Sequence, residues 1–326
     1  MQVQVHPYTL RFTRPLATSV GVFHERRGLV VRVEHAGHHG LGEAAPLPGF
    51  SVEGVDEALE AVESWRAFVP ESLADVETIA SAGLPPSASH GVEQALLGWL
   101  ASTKGESVAR LLGATHTARV AVNALAGDAA QARAAVAAGF KTIKVKVGIA
   151  PVDEDVRRVR NIRDAVGPTV ALRLDANRAW SADDAERALR ALADVGIELV
   201  EEPTKGLAAL ARLRAFASIG ADESVRTESD LDRVLREGAA DAIVVKPMLV
   251  GSLLASVRML KRAAKANVDS VVTTALEGGV GRCGAWAVAA AGPATLACGL
   301  DTGSWLASDI HPGPRVERGW ACGGAC

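Results

Sequence analysis

Apolar and polar side chains alternate roughly along Gln2 to Phe12, the period of a strand with one buried face. Leu29–Glu34 and His39–Ala44 repeat that pattern on either side of Ala36-Gly37 and read as a hairpin. Between the first two strands, Thr18 to Arg27 is polar and contains glycine, and reads as a loop and a candidate lid. The period then lengthens to that of a helix in Val55–Phe68 and again in His90–Ala101. Strands followed by helices predict an α+β unit.

Near residue 120 the rhythm becomes strand, helix, strand, helix. The strands predicted are Thr142–Val147, Thr169–Asp175, Leu199–Glu201, Ile219–Asp222, Ala242–Lys246, Ser270–Thr274 and Thr295–Leu300. Between them lie the helices Ala129–Ala138, Asp153–Val166, one capped by Ser181, Leu207–Ala217, one begun by Thr227 or Ser229, one capped by Ser252, and Trp286–Ala291. Regular βα units imply a parallel sheet in an α/β fold. A closed barrel gathers every strand's C-terminal end on one face, where active sites sit. An open doubly wound sheet would usually carry a Gly-rich phosphate loop after its first strand, and no GxGxxG or Walker pattern occurs. The expected organisation is an α+β domain over residues 1–118, a (β/α) barrel over 119–310 and a C-terminal tail over 311–326.

Composition narrows the function classes. Hydrophobic residues are 48% of the 326 and aromatics only 4%, so the core is aliphatic and ill suited to stacking bases or sugars. Lys plus Arg total 35 against 38 for Asp plus Glu, a balance of −3 that argues against a nucleic-acid partner. No signal peptide or membrane span is read, and the expectation is a soluble cytoplasmic protein. Cys283, Cys298, Cys322 and Cys326 show no CxxC spacing, which points to neither a disulfide framework nor a zinc ribbon; Cys322 and Cys326 read as a frayed, reduced tail.

Three strand ends carry acids: Asp175, Glu201 and Asp222. Three converging carboxylates cannot all ionise without a cation. All-oxygen ligands select a hard divalent ion, Mg²⁺ first and Mn²⁺ as the alternative. Neighbours on a strand face opposite ways, so Glu202 and Glu223 are expected to support the adjoining ligands rather than join them. Arg173 and Asn177 share the face of Asp175, Arg173 to pair with Asp175 or Glu201, Asn177 to bond a ligand water or a further acid. In Thr-Ile-Lys-Val-Lys-Val, Ile143, Val145 and Val147 face the outer helices, which turns Lys144 and Lys146 inward; Lys246 ends a strand roughly opposite. A lysine acting as base at neutral pH must fall ~3 units from its reference of about 10.4, a cost of ~4 kcal/mol. The chemistry needing this set is removal of a proton beside a carboxylate. The metal holds the substrate carboxylate, one lysine takes the proton and the other stabilises the enediolate or acts as acid or second base. Glu277-Gly278-Gly279-Val280-Gly281 follows a further strand end; its amides either receive a second anionic group or form a tight turn.

Together, Lys144-Val-Lys146, Asp175-Ala-Asn177, Glu201-Glu-Pro203, Asp222-Glu-Ser224 and Val245-Lys-Pro247 resemble the enolase superfamily in its muconate-lactonizing subgroup, in order and spacing. Lys144-Val-Lys-Val-Gly148, Leu172-Arg-Leu-Asp-Ala-Asn-Arg-Ala-Trp180 and Lys246-Pro-Met-Leu-Val-Gly-Ser-Leu253 are most similar to the o-succinylbenzoate synthases of menaquinone biosynthesis. Pro86-Ser-Ala-Ser-His90 and Leu300-Asp-Thr-Gly303 also fit that family. The resemblance implies a (β/α)7β modified TIM barrel under a capping domain. It implies Mg²⁺ on Asp175, Glu201 and Asp222, Lys146 as base, and Lys246 stabilising the enediolate. It further implies syn dehydration of 2-succinyl-6-hydroxy-2,4-cyclohexadiene-1-carboxylate, with Lys146 returning the proton to the departing hydroxyl. The ring would lie under residues 18–27 and 47–51, with the succinyl carboxylate facing 273–281, where Thr273, Thr274, Glu277 and Gly278 stand in place of a Ser-rich run. Arg282 beyond supplies a charged contact or sits on the surface.

A dipeptide epimerase or N-succinylamino acid racemase on the same scaffold is the rival, since facing lysines suit racemisation too. Such epimerases often carry an acidic pair for a substrate ammonium, and here Asp301 stands without an Asp-x-Asp partner. Muconate cycloisomerisation ranks below both. A non-catalytic barrel would have no need of three acids and three lysines at its strand ends.

Overall fold

The structure is a computed structural model and describes residues 1–18, 21–66, 68–81, 83–115 and 119–323. The chain opens with an antiparallel meander of β1 (Gln2–Thr18), β2 (Gly21–His35) and β3 (His38–Ala44). β1 and β2 stay paired from Gln2↔Glu34 to Thr18↔Gly21, with a register shift between Arg11 and Leu16. The stretch expected as a lid loop is thus mostly the far end of a long hairpin; residues 19–20 lie outside the described set. Its polarity misled because that end stands clear of the core, with Val22, His24 and Glu25 exposed.

Helices α1 (Val55–Ser64), α2 (Leu73–Ala80), α3 (Pro86–Lys104) and α4 (Val108–Leu111) follow. The long α3 lies against β3 so closely that Gly40 and Gly42 face its backbone carbonyls, where a Cβ has no room. The expected boundary at 118 falls on residues 116–118, outside the described set.

After β4 (Arg119–Ala121) the chain alternates as its periodicity predicts: β5 (Ala124–Leu125), α5 (Ala129–Ala137), β6 (Thr142–Lys146), α6 (Val152–Val166), β7 (Ala171–Asp175), α7 (Ala182–Ala191), β8 (Ile197–Glu201), α8 (Leu207–Leu213), β9 (Ile219–Ala221), α9 (Glu228–Glu237), β10 (Ala242–Val245), α10 (Pro247–Val250), α11 (Leu253–Lys265), β11 (Asp269–Val272) and α12 (Gly279–Ala291). Ser181, Thr227 and Ser252 cap their helices through the amide three residues on. The strands from β5 to β11 form one parallel sheet in sequential order. Bridges Val122↔Cys298 and Thr273↔Gly299 close it, so residues 298–299 supply the eighth side of a (β/α)7β barrel. Residues 315–322, expected within a tail, form the hairpin β12 (Arg315–Glu317) and β13 (Trp320–Cys322), paired onto β4. Cys322 is therefore a free thiol held in a strand and not frayed; Cys326 lies outside the described residues. No disulfide framework was expected, yet Cys283 is disulfide-bonded. No helix among the described residues is long and apolar enough to cross a membrane.

The capping domain is tied to the barrel by acids that cap barrel helices. Glu93 of α3 accepts from Leu253 and Leu254 N–H (2.6 and 2.9 Å) and from Ser252 Oγ (2.6 Å) at the start of α11. Glu43 of β3 accepts from Gly278 and Gly281 N–H (2.6 and 2.7 Å) at the start of α12. A carboxylate at a helix N-terminus satisfies orphan donors and meets the positive end of the dipole.

Candidate active site

One cavity of about 380 Å³ opens at the C-terminal ends of the barrel strands. Lys144, Lys146, Asp175, Asn177, Asp222 and Lys246 enter it at or just beyond the ends of β6, β7, β9 and β10, with Thr273 and Thr274 after β11. Alternation explains the inward lysines: Ile143, Val145 and Val147 between and beside them are buried against the helices. Leu16 and Thr18 of the hairpin and Leu47 and Phe50 of the loop after β3 complete an apolar side.

Lys144 Nζ lies 3.0 Å from Asp175 Oδ2 and 2.7 Å from Glu201 Oε2. Burial lowers its proton affinity, but Asp175, Glu201 and Asp222 outweigh that and raise it well above the ordinary lysine value. Lys246 Nζ pairs with both oxygens of Asp222, at 2.5 Å from Oδ2. Lys146 makes no ion pair among the described residues; it donates to Asn177 Oδ1 at 3.2 Å. Burial pushes its ammonium below the ordinary value, and Lys144 and Lys246 add to this against the pull of Asp175 and Glu223. Burial raises Asp175, but the three lysines hold it below the usual carboxylate range. Burial raises Glu201, and Asp175 and Asp222 offset the attraction of Lys144.

Glu201 Oε1 and Glu223 Oε2 are buried without a hydrogen-bond partner. Among the described residues no three His, Cys, Asp or Glu side chains are gathered tightly enough to hold a metal ion as they stand; the acids lie on the lysines instead. The donor set, carboxylate oxygens with one buried and unpaired, nonetheless fits a hard divalent cation.

Glu202 faces away from the cavity, as expected. It accepts from Asp222 N–H (2.7 Å), Ser224 Oγ and Arg178 (2.8 Å), fixing the β8 and β9 ends to one another. Glu223 does not line the cavity. β9 ends at Ala221, so Asp222 and Glu223 lie beyond the strand; Asp222 enters the cavity, and Glu223 accepts from Asn177 Nδ2 at 3.1 Å. Burial and the neighbouring Asp222 push its carboxyl up to about 7.

Arg173 does not pair with Asp175 or Glu201. Lys144 stands level with it on β6 and takes those carboxylates, so Arg173 turns to Glu198 (2.5 Å) and the Ala297 carbonyl (2.6 Å). Glu277 and Gly278 do not line the cavity. The Gly278 and Gly281 amides, read as a possible anion site, are taken by Glu43, and Glu277 is buried beside it. Thr273 Oγ1 donates to Gly299 O (3.0 Å) and Thr274 Oγ1 pairs with Thr302 Oγ1 (2.9 Å), so both hydroxyls hold the barrel seam. Arg282 is buried against Asp309 at 2.7 Å, and is neither at the surface nor in the cavity.

The cavity also holds residues that periodicity does not reveal: Asn123, Phe140, Trp305 and Asp301. Asp301 is raised by burial, with Arg282 pulling it down. The Leu-Asp-Thr-Gly run was its only signal.

Residues 127–321 match the family model described as enolase C-terminal domain-like, and residues 1–99 match the MenC N-terminal domain. The chain is 29% identical to an L-Ala-D/L-Glu epimerase of Bacillus subtilis over 98% of this chain and 92% of that one. It is 33% identical to an o-succinylbenzoate synthase of Yersinia pseudotuberculosis over 90% of this chain and 88% of that one. The crystal structure of a dipeptide epimerase from Enterococcus faecalis, complexed with Mg and the dipeptide L-Leu-L-Tyr, superposes with a TM-score of 0.91 at 27% identity, covering 98% of this chain and 96% of that one. A cap over a (β/α)7β barrel, acids and lysines at successive strand ends, and these matches along nearly its whole length place the chain in the enolase superfamily.

Proposed function

We propose that the protein is an o-succinylbenzoate synthase, dehydrating 2-succinyl-6-hydroxy-2,4-cyclohexadiene-1-carboxylate with Lys146 as the base. The base assignment is carried by one observation. Of three inward lysines, Lys144 and Lys246 are bound to carboxylates, whereas Lys146 rests on an amide oxygen and has a lowered proton affinity. The match of residues 1–99 to the MenC N-terminal domain favours the synthase among the superfamily's reactions.

Asp175, Glu201 and Asp222 would hold Mg²⁺. When bound, it supplies positive charge to the substrate carboxylate and so acidifies the neighbouring C–H. Lys146 Nζ takes that proton, and the C–H electron pair moves into the enediolate. The Lys246 ammonium stabilises the negative charge. The electron pair then returns as the C–OH bond breaks on the same face, and Lys146 hands its proton to the departing hydroxyl as water. Asn177 holds Lys146 in line, and Glu223 holds Asn177. Leu47, Phe50 and Trp305 give the ring an apolar surround.

A dipeptide epimerase is the second reading, favoured by Asp301, a carboxylate in the cavity wall where a substrate ammonium would need one. The test is ultraviolet detection of o-succinylbenzoate formed by the purified protein with Mg²⁺, with excess chelator, and in Lys146→Ala. Turnover lost in the last two supports the synthase. A folded, Mg²⁺-binding protein that forms no product overturns it, and α-proton exchange on dipeptides in D₂O then tests the epimerase.

A further inference from the structure

Arg26 of β2 is 2% exposed, yet none of its hydrogen bonds among the described residues goes to a carboxylate. Its guanidinium donates to five backbone carbonyls: Nε to Leu276 O (3.2 Å), Nη1 to Pro46 O (2.6 Å) and Arg27 O (3.1 Å), and Nη2 to Ala275 O (3.3 Å) and Ala45 O. These carbonyls belong to the hairpin, the loop after β3 and the loop after β11. The last two loops build the cavity: Ala275 and Leu276 line it directly, and Ala45-Pro46 leads straight into Leu47 and Phe50. Leu276 also has φ +64°, a left-handed conformation that a branched side chain adopts only where its surroundings hold it. Arg26 itself does not touch the cavity. A planar fork with five N–H donors can serve five carbonyls on three backbone segments at once; a lysine, with three donors on a point charge, leaves at least two of the five unserved.

We propose that Arg26 is a positioning residue for substrate recognition: it locks the capping-domain loop to the barrel loop and so sets the shape of the apolar cavity wall. The substrate in the test rests on the o-succinylbenzoate reading; the lock itself does not. The experiment compares wild type, Arg26→Lys, Arg26→Met and Glu93→Gln. Glu93 crosses the same domain interface, but the α11 amides it caps do not border the cavity. In both Arg26 variants KM rises roughly tenfold or more while kcat changes by less than about threefold, the signature of lost uniform binding. In Glu93→Gln the melting temperature falls and KM stays at the wild-type value. Amide hydrogen exchange supplies a readout independent of turnover: residues 47–51 and 275–277 exchange faster in the Arg26 variants, and β6 and β7 do not change. Wild-type KM and exchange in folded Arg26 variants overturn the proposal, as does an equal rise in KM for Glu93→Gln, which would make any weakening of the interface sufficient. If wild type forms no o-succinylbenzoate, the functional reading fails on that ground, and exchange alone decides the role of Arg26.

Discussion

At the scale of residues, the decisive contrast is among three lysines in one cavity. Lys144 is sandwiched by Asp175 and Glu201, and Lys246 is drawn onto Asp222. Lys144 keeps its proton, while burial and the Lys144 and Lys246 ammonium groups favour the neutral form of Lys146. The rising limb of kcat/KM against pH is therefore expected below the ordinary lysine value. In Lys246→Gln one repelling charge is gone, so the limb of the residual activity moves to higher pH; a limb left in place would show that Lys246 does not act on Lys146 through its field. Lys146→Ala is expected to lower kcat by at least ~10²–10⁴, the span of a general base, with the fold intact by circular dichroism. Lys144, Lys146, Asp175 and Glu201 were legible because they lie within strands, where alternation is a rigid rule. Glu223 lies beyond the end of β9, where that rule no longer applies, and it bonds Asn177.

At the scale of elements, the domains meet where capping-domain acids cap barrel helices. Glu93→Ala removes three hydrogen bonds at the start of α11 and leaves buried donors unmade, so it should destabilise by ~1–3 kcal/mol in denaturant unfolding. At α12, Glu277 lies beside Glu43, and burial with that neighbour pushes its carboxyl up to about 7. An acid whose folded value lies above its unfolded value binds more protons when folded. Its ionisation therefore weakens the fold as pH rises from about 4.5 to about 7, by on the order of 3 kcal/mol at full effect. Glu277→Gln should remove this slope, so its stability relative to wild type increases with pH across that window. The comparison with the variant is needed because His90, buried and lowered to about 4, acts with the opposite sign: its contribution is lost as pH falls below 6.5. Sequence periodicity placed the start of α12 at Trp286, seven residues late. Gly278, Gly279 and Gly281 lack side chains to show a period, and glycine there serves close packing against Glu43, Glu277 and the His311 carbonyl.

At the scale of the whole molecule, burial raises Glu201 and Glu223, with Asp222 beside both and Asp175 beside Glu201 adding to it, so the barrel holds carboxylates that a cation would favour in their charged form. A divalent cation that binds only the folded state should stabilise it by ~2.7 kcal/mol at a hundred times its Kd. Mg²⁺ is thus expected to raise the Tm of wild type and leave that of Asp175→Asn nearly unchanged; equal shifts would place the ion elsewhere.

The sequence alone determined the alternation of βα units, the barrel, the strand-end acids and the inward lysines. Each follows from a local period of 2 or 3.6 residues and from where that period ends. Tertiary structure decided what depends on residues distant in the chain. It sent Arg173 to Glu198 and Ala297, gave the glycine amides of α12 to Glu43, paired the last hairpin with β4, and closed the barrel through residues 298–299. It also brought Arg26 to the carbonyls of residues 45–46 and 275–276. No local pattern encodes such contacts, because they form only when two separately folded faces meet and each buried donor must find an acceptor on the other.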